Sequence, residues 1–188
     1  MGGTTSPLRH RNEGMTLIEL MVTIAVMAIL VVVTVPSFVG LINQNRVATQ
    51  INGFVGDLQF ARSEAIKRGQ TVTVCASSNG TSCLGTAIWN TGWIVFWDPA
   101  GNKSMDAGDD VLRRQVGWAG TDTFTADNAT AALSYNRDGF AMGLAGSGSG
   151  AVTFTLHTSP ATASSSRCVM VNISGRQQLQ TPNRANCL

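Results

Sequence analysis

The sequence predicts an α+β fold, a long N-terminal helix packed on a mostly antiparallel β-sheet head, and three observations predict it. An apolar stretch from Met15 to Val35 follows a short polar opening segment. Beyond Pro36 the apolar residues recur at helical spacing as far as Ile66. From Thr71 onward the period shortens to two, the repeat of a strand with one face covered. At 188 residues the chain has room for one ordinary globular domain and an additional element.

The opening segment, residues 1–14, is polar and carries Arg9, His10 and Arg11. The apolar stretch behind it, about 20 residues, is long enough to span a bilayer. A removable secretory signal would end after a shorter apolar run, roughly 7 to 15 residues, at a small-residue site. Thr34-Val35-Pro36 offers no such site. A retained transmembrane anchor over 15–36 is therefore expected, with the basic flank holding the N-terminus in the cytoplasm and the remainder outside. One carboxylate, Glu19, stands inside the anchor. Such a charge costs roughly 2.5 to 3.5 kcal/mol on insertion scales and normally has a partner or a function. Its place near the start of the span also lets it reach the interface.

Phe38, Leu41, Ile42, Ile51, Phe54, Val55, Leu58, Ala61, Ala65 and Ile66 put a covered face on an amphipathic continuation of the helix over 37–69. Lys67, Arg68 and Gly69 form a stop, with cations at the negative end of the helix dipole and a glycine behind them. Gly53 and Gly56 each cost about 1 kcal/mol relative to alanine, and local bending is expected there. Arg62 and Glu64 read as a solvated polar face. Six strands are expected over 71–75, 92–97, 111–116, 132–135, 151–156 and 167–173, in a head spanning 70–188 with turns rich in Gly, Asn, Asp and Ser. The stretches 143–150 and 158–166 are small and polar and read as loops.

Four cysteines, Cys75, Cys83, Cys168 and Cys187, lack the C-x-x-C spacing of a zinc or redox site. Beyond a membrane segment an even number of widely spaced cysteines points to disulfides in an oxidising compartment. Three connectivities are open, of which the local pairs are favoured; such loops contribute roughly 2 to 3 kcal/mol each. Asp98, Asn102, Asp106, Asp109 and Asp110 carry the oxygen ligands that calcium uses, without the spacing of an EF-hand or its bidentate glutamate. An ordinary acidic hairpin turn is the competing reading. Trp89, Trp93, Trp97 and Trp118 are assigned to packing, Trp93 and Trp97 sharing strand parity with Val95. His157 stands alone, and no G-x-S-x-G, P-loop, dinucleotide fingerprint or H-E-x-x-H occurs, so neither catalysis, a cofactor nor a metal is expected. The net charge of +2 argues against a strongly electrostatic nucleic-acid binder.

Gly14-Met15-Thr16-Leu17-Ile18-Glu19-Leu20 resembles the signature of type IV pilins and type II secretion pseudopilins. In that family a prepilin peptidase cuts after the glycine, the new amine is N-methylated, and the glutamate directs assembly. The resemblance therefore implies a leader over 1–14 cut between Gly14 and Met15, methylation of Met15, and an assembly role for Glu19. Met15 departs from the usual phenylalanine, and Pro36 falls where pilins commonly kink the helix. A cationic amine at Met15 and a neighbouring Glu19 would relieve each other's unpaired-ion penalty when subunits dock. The segments 58–66, 92–98 and 109–113 resemble the GspH/FimT group of minor pilins and pseudopilins, which implies a pilin-like fold. Implied partners are other minor pilins and the major pilin through the N-terminal helix, the prepilin peptidase and the bacterial inner membrane. The cysteine pair around Ser174-Gly175-Arg176 resembles FimT or FimU, which implies a minor type IV pilin; the alternative is a type II secretion pseudopilin. Some FimT-like pilins bind DNA during natural transformation through a G-R-x-R motif. Here Gly175 and Arg176 are present but Gln178 replaces the second arginine, leaving Arg176 and the more distant Arg184 as DNA-contact candidates against a turn or strand-edge reading of Arg176.

Overall fold

A computed structural model describes residues 14–144, 150–159, 166–180 and 187, apart from the side chains at 33 and 35–37. The leader, Arg184, the side chain of Pro36 and most of the two small-residue loops lie outside the described residues. Helix α1 covers Leu17–Arg68. Nine strands follow: β1 Val72–Ala76, β2 Gly92–Trp97, β3 Asp110–Val116, β4 Thr123–Ala126, β5 Ala132–Tyr135, β6 Ala141–Met142, β7 Ala151–His157, β8 Arg167–Asn172 and β9 Gln177–Gln180. Sequence periodicity finds six of these. It misses β4 and β6 because they are short, and β9 because three of its four residues are glutamines, which carry little strand signal.

The chain divides into two units, Met1–Gly40 and Leu41–Leu188. Within the first, the large apolar residues of α1 from Leu17 to Val32 are exposed. Among the described residues no helix is long and apolar enough to cross a membrane.

In the second unit α1 buries one stripe completely: Val47, Ile51, Phe54, Leu58, Ala61 and Ala65, alternating steps of four and three. The expected face was drawn too wide at both ends. Phe38, Leu41, Ile42 and Ile66 are at least half exposed, while Val47 belongs to the core. The helix stops as a Schellman motif, with the Gln70 N–H on the Ala65 carbonyl, the Gly69 N–H on the Ile66 carbonyl and Gly69 at φ +66°. Gly53 and Gly56 do not interrupt α1, and nothing lies within 4 Å of a Cβ built at either.

The head contains two antiparallel sheets where one was expected. One has the order β3-β2-β1-β5-β6 and the other β4-β7-β8-β9. In the first, Val74 pairs with Val95 and with Leu133, so Val72, Val74, Ala76, Trp93, Val95 and Leu133 all face α1. The opposite face is covered too: Cys75, Ile94 and Phe96 form a smaller cluster with Cys83, Met105 and Val111. Double coverage explains why β1 is buried along its whole length and shows no polar alternation. In the second sheet Phe124, Phe154, Leu156, Val169 and Val171 turn inward to the same core as the helix. The Phe54 ring lies 4.9 Å from Phe124, 4.7 Å from Phe154, 5.1 Å from Trp93 and 5.7 Å from Trp89. The buried indoles keep their N–H groups satisfied, Trp89 on the Thr130 carbonyl and Trp93 on the Asp57 carboxylate.

Phe54→Ala should therefore lower the unfolding free energy of the head by about 3 to 5 kcal/mol, the usual range for emptying a large aromatic site. Urea unfolding followed by tryptophan fluorescence measures it, and a loss below about 1 kcal/mol would show that the ring does not join the layers.

Candidate assembly site and surface arginines

Gly14, Met15 and Thr16 precede the first helical residue, and Gly14 and Met15 are exposed. A junction at 14–15 in this non-helical segment is accessible backbone, which a peptidase requires. Thr16 caps α1: its Oγ1 accepts the Glu19 N–H at 3.3 Å, and its carbonyl accepts the Leu20 N–H at 3.1 Å. Threonine at the cap and glutamate three residues on is the spacing of a capping box. The Glu19 carboxylate thus sits in the first turn, where unpaired N–H groups and the helix dipole favour negative charge. Around it Leu17, Ile18, Leu20 and Met21 are all exposed. Between Met15 and Asn45 Glu19 is the only charged side chain. An exposed apolar helix end with one carboxylate can accept a cation brought by another chain, and it leaves its apolar neighbours to cover the pair.

The cysteines are joined as Cys75–Cys83 and Cys168–Cys187. The first bond holds the loop after β1 against the smaller cluster, and the second ties residue 187 to β8. The acidic loop between β2 and β3 uses its oxygens internally. Asp98 is buried and accepts the Thr73 hydroxyl at 2.7 Å and the amides of Gly101 at 2.7 Å and Lys103 at 3.0 Å. Asp106 accepts the Asn102 side-chain amide, and Asp109 accepts the Asp106 N–H. Among the described residues no group of three or more His, Cys, Asp or Glu could hold a metal ion.

Arg176 lies in the turn between β8 and β9. Its N–H donates to Asn172 Oδ1 at 3.0 Å, its carbonyl accepts the Asn172 N–H at 3.2 Å, and its side chain is exposed. Gly175, at φ +74°, packs against the turn after β5: a Cβ there would lie 2.3 Å from the Gly139 carbonyl oxygen. The two turns are further joined by the Ala141 N–H on the Ile173 carbonyl at 2.9 Å, which links the two sheets. Arg62 corrects the expectation of a solvated helix face, since it donates to the carbonyls of Ser174 at 3.1 Å and Gly175 at 3.4 Å. Glu64 is largely covered rather than solvated, its side chain 12% exposed and paired with Arg68 at 2.9 Å and Lys67 at 3.2 Å, and these cations hold its carboxyl below the ordinary value. His157 is not alone, because its Nδ1 is 3.0 Å from Ser166 Oγ. Sequence reasoning also missed Arg46, which meets Asp122 at 2.9 Å, and Asp57, which joins Arg113 at 3.0 Å. Partners so far apart in the chain leave no local pattern.

The chain matches the family described as Type II transport protein GspH over residues 50–175, and the prokaryotic N-terminal methylation motif over residues 9–35. It belongs to the GspH family. Among solved structures it is similar to the type IV minor pilin FimU of Pseudomonas aeruginosa PAO1 in two crystal forms. One is 21% identical with a TM-score of 0.53, covering 74% of this chain and 94% of that one. The other is 20% identical with a TM-score of 0.54, covering 75% and 90%. At this identity the likeness concerns the fold, a helix packed on antiparallel sheets. No curated protein matches the chain. In this GspH-family protein the family and fold are those of pilin-type structural proteins, and the methylation motif is the mark of a membrane-anchored pilin.

Tyr135, the single tyrosine of the chain, lies beneath the two joined turns and accepts the Gln177 side-chain amide at 3.1 Å. Burial pushes its phenol up from 10.0 to about 12, against smaller opposing effects of Gln177 and the Arg62 charge. A raised folded value favours the neutral phenol, so this stabilisation is fully present below pH 10.0 and is lost as pH rises through about 12. Tyrosinate absorbance of the native chain should rise near that higher value, coincident with loosening of the head. A midpoint at the ordinary tyrosine value in folded protein would show that the hydroxyl is solvated.

Proposed function

We propose that this GspH-family protein is a minor type IV pilin, which enters the pilus and helps to prime its assembly by docking other minor pilins and the major pilin. The observation that carries this reading is Glu19, the one charge between Met15 and Asn45, in the exposed apolar first turns of α1. Prepilin peptidase removes residues 1–14, Met15 is N-methylated, and residues 15–36 hold the chain in the bacterial inner membrane with the head in the periplasm. The new amine of one subunit and Glu19 of another then neutralise each other in the apolar layer, and the distance between the two groups sets the axial stagger. The S-G-R turn, bracketed in sequence by the bonded pair Cys168 and Cys187, supports the pilus over the type II secretion pseudopilus.

Glu19→Ala should be processed to a chain beginning at Met15 and yet be lost from sheared pili at least about tenfold, the effect of leaving one buried charge unpaired. Immunoblotting of the pilus fraction measures this. Wild-type levels of the variant in pili would exclude the assembly role, and loss of secretion with intact pili would assign the protein to the pseudopilus.

One observation supports DNA contact as a second activity. Arg176 does not stand alone, because the joined turns bring Arg137 and the half-exposed Phe140 to the same end of the head. Arg137 supplies from another turn the second cation that Gln178 lacks, and Phe140 offers a ring on which a base can stack. In a mobility-shift assay of single-stranded DNA at low salt, Arg137→Ala and Arg176→Ala should each weaken binding and lower the salt slope by about one. Arg184→Ala tests the remaining candidate. A wild-type protein that leaves the DNA unshifted would eliminate this activity.

A further inference from the structure

At the opposite side of the five-stranded sheet from that arginine pair, the open edge strand β3 borders a cleft of about 250 Å³. Its walls are the turn Ser77–Gly80, Thr91 and the end of β3 from Arg114 to Gly117. The lining holds one guanidinium, several hydroxyl and amide groups, and no carboxylate. We infer that this cleft is a binding site for a small carboxylate, held through the guanidinium of Arg114.

Three features support it. Adjacent arginines on β3 have different fates: Arg113 is engaged by Asp57 at 3.0 Å and lies 3.9 Å over the Phe60 ring, whereas Arg114 makes no ion pair or side-chain hydrogen bond among the described residues. The aliphatic stem of Arg114 lies across the turn, its Cδ 3.4 Å from a Cβ built on Gly80, which leaves the charged fork at the cleft. The walls are also fixed before any ligand arrives. Cys75–Cys83 anchors the turn, Ser77 Oγ accepts the Gly80 N–H at 3.0 Å, and Asn79 Oδ1 accepts the amides of Thr81 at 2.9 Å and Ser82 at 3.0 Å. Gly117 lines the cleft, and backbone packs closely around it and the adjacent Gly92: added Cβ atoms there would lie 2.7 Å and 2.5 Å from backbone oxygens. A preformed site does not lose binding energy to loop ordering.

Size and charge narrow the ligand. The volume falls below the roughly 300 to 1,000 Å³ of ordinary ligand pockets, so the occupant is no larger than a single sugar or amino-acid unit. One planar guanidinium matches a carboxylate with two parallel hydrogen bonds, whereas a phosphate dianion is better met by several cations. Ser78, exposed on the rim, offers a hydroxyl to the body of the ligand. Such a carboxylate belongs either to a sugar acid or to a peptide end, and the two sources share this chemistry.

The test is a titration of the full-length chain in detergent micelles, followed by two-dimensional NMR, with glucuronate, glucose and N-acetylglycine as probes. Glucuronate or N-acetylglycine should shift the resonances of Gly80, Arg114 and Gly117 saturably, and glucose should not. The probe that binds tighter identifies the source. Arg114→Gln should weaken binding about tenfold or more, Arg114→Lys should weaken it less, and Lys67→Gln, an equal charge change elsewhere, should leave it unchanged. Arg114 is exposed, so both variants should keep the wild-type melting temperature, and their spectra report this directly. Equal response to glucose, no saturable shift, or full binding by Arg114→Gln would overturn the site.

Discussion

The Phe54 ring meets Trp93 from one sheet, Phe124 and Phe154 from the other, and Trp89 from the connection before β2. Among the described residues Phe54 is the one helix ring with aromatic contacts to both sheets, and most of these contacts are edge-to-face, the geometry in which aromatic quadrupoles attract. The helix and the two sheets therefore share one core. Each sheet exposes an apolar face until α1 supplies the ring that both faces need. The helix stripe accordingly has one buried residue per step and no exposed member from Val47 to Ala65.

The first unit obeys the opposite rule. The same chemical type of residue that is fully buried in the head is exposed along Leu17–Val32, a distribution that water does not tolerate over a large contiguous area. The methylation motif over residues 9–35 is the mark of a membrane-anchored pilin, for which such an apolar surface is expected. In such surroundings a carboxylate is tolerable only with compensation. The helix N-terminus, where Glu19 sits in the first turn, supplies part of it through the dipole.

Polar groups in the head act mainly as fasteners between segments distant in sequence. Asp98 organises the β2–β3 loop through main-chain amides, Asp57 joins the Trp93 indole to Arg113, and Arg62 reaches the carbonyls of the β8–β9 turn. The last contact, with the glycine pair 139 and 175, is where the two sheets touch outside the core. Fixing these turns also fixes what they display, so Arg137, Phe140 and Arg176 form a preset surface. The cleft at β3 is preset by different means, a disulfide and an asparagine turn.

The sequence by itself determined the properties that local order controls. The long helix, its stop at Gly69, the six longer strands and the methylation motif around Glu19 were all legible, because apolar period, capping chemistry and charge placement act over a few residues. Only the tertiary structure decided that the strands divide into two sheets, since β-pairing is chosen by packing on α1 and leaves no mark within a strand. It likewise decided the role of Arg62, which looks like any surface arginine until the turn at 174–175 is folded onto it. The arginine pair Arg137 and Arg176 and the isolated Arg114 belong to the same class, because distance in space between residues far apart in the chain is set by the closed core alone.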